Sequence, residues 1–96
     1  MATSKDYRDY VLELISSIED ISCKPMMGEY LLYYKGILFG GLYDNRFLVK
    51  KTKSLGGLGF STAIPYEGGK EMYEIDFEDI ENTREIIIKA ANDLKK

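Results

Sequence analysis

Met26–Lys51 reads MMGEYLLYYKGILFGGLYDNRFLVKK, three short apolar runs separated by two compact turn signals. In the first run, Tyr30, Leu32 and Tyr34 alternate with Leu31 and Tyr33, so both faces of the strand are apolar or aromatic. Lys35-Gly36 supplies a two-residue turn, because glycine accepts positive φ without strain. Ile37–Tyr43 follows, interrupted by Gly40-Gly41. Asp44-Asn45 is a second turn, again made of residues that tolerate positive φ. Arg46–Thr52 is the third strand, with Phe47 and Val49 on one side and Leu48 on the other. This stretch specifies an antiparallel meander.

Outward from the meander, the hydrophobic period changes from two to 3.6. Thr3–Asp20 places Tyr7, Tyr10, Val11, Leu14, Ile15 and Ile18 on one face, with Ile21 continuing the spacing, the pattern of an amphipathic helix. Thr3 with Asp6 fits a capping box, and Pro25 lies just beyond the predicted end. On the other side, Ser54–Gly59 carries three glycines and reads as a loop or a single helical turn. Ile64–Glu67 and Lys70–Ile75 form a hairpin around Gly68-Gly69, with Pro65 suited to an edge strand. A second helix runs from about Asn82, its expected cap, to Leu94, burying Ile86, Ile87, Ala90, Ala91 and Leu94. The resulting expectation is an α+β fold: an antiparallel sheet of about five strands, a meander plus a hairpin, with N- and C-terminal helices packed on one face.

Bulk properties narrow the functional classes. Ninety-six residues suit one domain. The formal net charge is −3, from 13 basic and 16 acidic residues, whereas nucleic-acid binders are generally basic. Cys23 is the only cysteine, so no intramolecular disulfide can form. Histidine is absent, which removes the commonest general base and metal ligand, and no Ser-His-Asp arrangement is open to Ser16-Ser17 or Ser61-Thr62. No signal-peptide pattern and no apolar run of about 20 residues is present. A cytoplasmic protein with no membrane partner, no metal and no cofactor is expected.

Several residue groups are candidates for function. Arg46, Lys50, Lys51 and Lys53 form a basic strip beside the glycine-rich loop, where backbone N–H groups and lysines suit an anion. That loop lacks the Gly-Lys-Ser/Thr ending of a phosphate-binding loop, so a solvated strand edge is the expected reading. Glu67, Glu71, Glu74, Asp76, Glu78, Asp79 and Glu81 form an acidic stretch without calcium-loop spacing, read as a solvated, helix-favouring face. Cys23, with Lys24 beside it, is read as an inert thiol, and Met26-Met27 as core filling. The tyrosines pose the sharper question. Two helices cover only one face of a sheet that is apolar on both, which leaves Leu31 and Tyr33 for a homodimer or protein partner.

Four segments together resemble the N-terminal domain family of the TfoX/Sxy bacterial competence regulators. They are Met26-Met27-Gly28-Glu29-Tyr30, Tyr34-Lys35-Gly36-Ile37-Leu38-Phe39-Gly40, Tyr43–Lys50, and Pro65-Tyr66-Glu67-Gly68-Gly69-Lys70-Glu71-Met72. Order and spacing agree over nearly the whole chain, so residues 1–96 are read as one short, single-domain member. Glu29 departs from the pattern by standing where the family has a second glycine. The resemblance implies a small α+β domain, a link to transcriptional or competence regulation, and no catalytic set. The expectation is a non-enzymatic regulatory or protein-interaction domain. The alternative is a module that binds a small anionic ligand or nucleic acid through Arg46–Lys53.

Overall fold

Turn chemistry builds the sheet from its middle outward. The computed structural model describes residues 3–76 and 79–95. Strands β1 (Ile21–Met26), β2 (Glu29–Tyr34), β3 (Ile37–Leu42) and β4 (Phe47–Lys50) follow one another as antiparallel neighbours. Each connection between them turns on two residues of positive φ: Met27-Gly28 (50° and 87°), Lys35-Gly36 (50° and 80°) and Asp44-Asn45 (51° and 56°). That is the signature of type I′ hairpin turns, whose twist matches that of the flanking strands. The third turn is closed by Tyr43 and Arg46, which exchange backbone bonds of 2.9 and 3.0 Å.

Two further strands, β5 (Ser61–Ala63) and β6 (Met72–Glu74), complete a six-stranded sheet in the order β1-β2-β3-β4-β6-β5. The expected count of about five omitted β1. Residues 21–26 lie on the sheet edge, where Pro25 is tolerated, and the expected helix to Asp20 gives way to α1, Lys5–Leu14. The expected hairpin also pairs differently. Ala63 lies opposite Met72, so residues 64–71 form a long loop and Pro65 is off the strand.

Both helices lie on one face, as expected. Val11, Ile15 and Ile18 from the α1 region and Ile86, Ile87 and Ala90 from α2 (Ile80–Leu94) share a core with Tyr30, Leu32, Phe39, Leu42, Phe47 and Val49. Their caps sit a few residues from the expected ones. Ser4 accepts from Tyr7 N at the start of α1, and Asp79 accepts from Asn82 N at the start of α2. Thr3 and Asn82 are therefore not the caps. Thr3 instead donates through N and Oγ1 to Glu29 Oε1 at 2.8 and 2.7 Å.

Gly40-Gly41 does not interrupt β3 but lets it pack. The pairing slips between Leu32 and Tyr33, which leaves Phe39 as the extra residue of a bulge, fully buried against the helices. A Cβ on Gly40 would collide with the Leu48 carbonyl and lie 2.9 Å from Val49 Cα.

Candidate functional site: the helix-free face of the sheet

Strand alternation decides what the second face carries. Leu32, Leu42, Phe47 and Val49 point to the helices, so Leu31, Tyr33, Leu38, Tyr43, Leu48 and Met72 belong to the opposite face. Part of that face is closed by the chain itself. The 64–71 loop folds onto it, burying Pro65 and bringing Tyr66 to 6.3 Å from the Tyr43 ring. Tyr43, Leu48 and Met72 form a small second core beneath, with Leu31 and Ala63 packed against it. Burial raises the Tyr43 phenol above its ordinary value of 10.0, with Tyr66 and Glu29 adding to the shift.

Arg46 pins this loop to the sheet. Its Nε donates to Tyr43 O at 3.3 Å and a terminal nitrogen donates to Ile64 O at 3.0 Å. Glu29 fixes the end of the sheet beside it. One carboxylate accepts from Thr3 N, Thr3 Oγ1 and Asp44 N, the last at 3.2 Å. The start of α1 and the second hairpin turn are thereby tied to a single side chain.

A groove in two parts, of about 750 and 730 Å³, is left open; the parts meet at Met26, Tyr43, Pro65 and Tyr66, and the second reaches Leu94 at the end of α2. Large apolar side chains stand exposed around the first part: Met27 at 97%, Tyr66 at 57%, Ile64 at 52% and Met26 at 39%. Met26-Met27 therefore corrects the core-filling expectation, because both methionines sit at the β1–β2 hairpin tip, in solvent. Leu31 and Tyr33 lie on this face as expected, but both are half-buried, and Lys24 Nζ stands 5.4 Å from the Tyr33 ring centre. Leu31 and Tyr33 are among the less exposed residues of this face. Ile64 and Tyr66, expected in a strand, lie in the loop that turns them onto this face.

The basic strip is dispersed. Arg46 is engaged with carbonyls at one end of β4, and Lys50 lies about 13 Å away along the strand. Lys51 pairs with Glu71 at 2.9 Å and stands over Tyr73. Lys53 begins a 3-10 turn, Lys53–Leu55, that packs on α2 through the buried Leu55. The glycine-rich loop is tethered as well. Ser54 N and Oγ donate to the Asp93 carboxylate at 2.7 and 2.8 Å, so this N–H already faces an anion of the protein's own. The acidic stretch divides similarly. Glu71 holds Lys51, Asp79 caps α2, Glu67 borders the groove, and Glu78 lies outside the described residues. Among the described residues, no group of three acids or cysteines is arranged to hold a metal ion.

Cys23 lies on β1, packed against the helix-side core, and burial raises its thiol above the ordinary 9.0. Lys24 points to the opposite face, and Arg8 is the cation that Cys23 senses. No described helix is long and apolar enough to cross a membrane. No protein-family model matches the chain, and no curated protein matches its sequence.

Proposed function

We propose that this chain is a protein-interaction domain of regulatory rather than enzymatic character, and that it works through the helix-free face of its sheet. The observation that carries this reading is the concentration of exposed Met27, Tyr66, Ile64 and Met26 around one hollow of that face. Soluble domains seldom gather large apolar side chains in solvent unless a partner covers them. Tyrosine and methionine are suited to such contacts, one rigid and half polar, the other adaptable. The TfoX-like wording of the same segments, Met26–Tyr30 and Pro65–Met72, agrees with a regulatory role. It is the ground for linking the domain to transcription or competence.

A photo-crosslinking residue in place of Tyr66, tested in cells against the same residue in place of Glu85 on the exposed side of α2, checks this reading. Protein adducts from position 66 only, unchanged by nuclease, are the expected result. Equal adducts from both positions would contradict the assignment of the face. Adducts lost on nuclease treatment would favour nucleic acid, with Lys50 and Lys51 as the contacts.

A further inference from the structure

The two halves of the groove carry opposite charge. Glu29, Asp44 and Glu67 oppose Arg46 alone in the first, a net of −2. Lys50, Lys51 and Lys70 oppose Glu71 alone in the second, a net of +2. Lys51 and Glu71 neutralise each other, and Glu29 is committed to Thr3 and Asp44 N. The charges left to meet a partner are Asp44 and Glu67 at one end and Lys50 and Lys70 at the other. None of these four forms an ion pair among the described residues. Between the ends lies an apolar ridge whose exposed members are Met26 and Tyr66; Tyr43 and Pro65, which also line both hollows, are buried.

A surface that is acidic, apolar and basic in that order is complementary to itself under a two-fold rotation. A closed dimer presents the same patch on both subunits, so that each residue i meeting j implies j meeting i. An axis through the ridge sets Tyr66 against its symmetry mate. It also brings each acidic end onto the partner's basic end, so the favourable contact occurs twice.

The sheet edges offer no comparable route. Lys35 N donates to Asp20 O, so with antiparallel alternation residues 22, 24 and 26 bond toward β2, and Ile21, Cys23 and Pro25 face outward. Pro25 has no N–H to give at such a position, which blunts the edge against strand addition. The other edge, β5, has only three residues.

The geometry points to a second copy of this chain as the partner of the helix-free face, docked across a two-fold axis with Asp44 and Glu67 of each protomer against Lys50 and Lys70 of the other. This inference rests on the interaction reading above and adds to it the identity of the partner.

Sedimentation velocity on the full chain with two double variants tests it. The first is Asp44→Lys with Glu67→Lys, which turns the acidic end basic. Lysine fits the turn at position 44, since Lys35 holds φ 50° where Asp44 holds 51°. The second is Lys50→Glu with Lys70→Glu, which turns the basic end acidic. The wild type should dimerise, more weakly as salt rises. Each variant alone should dimerise at least about ten-fold more weakly, because like charges then meet at both ends. Mixed one to one, the variants should form a heterodimer, since every contact is again between opposite charges. Misfolding cannot produce that rescue.

Two results would overturn the inference, and they differ in what else they remove. A wild type that stays monomeric to millimolar concentration excludes the second copy but leaves the crosslinking test of the face untouched. A wild-type dimer that neither double variant weakens places self-association on another surface. It removes the inference and also counts against the face itself.

Discussion

Glu29, which stands where the resemblance led to an expectation of glycine, has a defined task in the structure. A glycine here would leave Thr3 N, Thr3 Oγ1 and Asp44 N without their carboxylate acceptor. Thr3 is almost wholly buried, so its groups have little recourse to water. Hydrogen bonds to a charged acceptor contribute about 1.5–3 kcal/mol each, while Thr3 N keeps Gly28 O at 3.0 Å and Thr3 Oγ1 keeps Leu42 O at 3.1 Å when the carboxylate is removed. Glu29→Ala should therefore lower stability to urea by about 2 kcal/mol, and Glu29→Gln by less, since the amide keeps one acceptor oxygen. An Ala variant as stable as the wild type would show that the clasp is incidental. The sequence marked Glu29 only as an exception, because three donors from residues 3 and 44 converge only once the sheet has formed.

At the scale of elements, β3 and the glycine-rich loop make separate demands. Gly40 lies under β4 so closely that any Cβ meets backbone, which cannot swing aside as a side chain can. Gly40→Ala should cost at least about 2 kcal/mol, within the range for overpacked cores. Gly57→Ala is its control, since nothing lies within 4 Å of that position. A comparable loss in both variants would argue against collision at Gly40, since the lower entropy of the unfolded chain by itself makes alanine the more stable residue.

The loop is held by Asp93, whose carboxyl is lowered from its ordinary 3.8 chiefly by the Ser54 backbone N–H, then by the Ser54 hydroxyl. A depressed folded-state value means that the tether is at full strength above the ordinary value and is lost as pH falls through the lowered one. Amides of residues 54–58 should therefore exchange faster, relative to the global rate, as pH drops below about 4. Ser54→Ala should return the Asp93 titration, followed by NMR, toward 3.8. The backbone N–H survives this change, so the expected return is partial, and an Asp93 that does not move would show that the hydroxyl takes no part in the tether.

Legibility followed the strength of local signals. The meander was readable because type I′ turns need residues such as Lys35-Gly36 and Asp44-Asn45 in fixed places, and α2 was readable from Ile86, Ile87, Ala90 and Ala91. Strand β1 was not. Ile21 continues the helical spacing from Ile18, and Ser22-Cys23-Lys24-Pro25 has no strand pattern, because only one side of an edge strand has a neighbour. Likewise Ser61-Thr62-Ala63 becomes a strand because β6 offers it a ladder, while the more apolar Ile64-Pro65-Tyr66 is released as a loop onto the open face.

For the whole molecule, the two sides of the sheet divide the labour. One side holds both helices and most of the large buried residues, and its packing accounts for the fold. The other holds a small core of Tyr43, Leu48 and Met72 under a loop pinned by Arg46, with a groove left open across it. Leu31 and Tyr33 pointed to that face from the sequence. The exposed Met27, Ile64 and Tyr66 and the separated charges of the groove could not be read there, since they come from three connections brought together only by the sheet.

Three of the chain's four methionines, Met26, Met27 and Met72, line this groove and report on it without mutation. The most direct measurement is their methyl NMR spectrum, recorded with sedimentation from micromolar to millimolar protein. The predicted result is that, as the particle doubles in mass, these methyl signals move while those of Val11, Ile15, Ile86 and Ile87 beneath the helices hold still. Doubling with the three methionine signals unchanged, or with the helix-side methyls moving instead, would contradict the assignment of the helix-free face as the working surface.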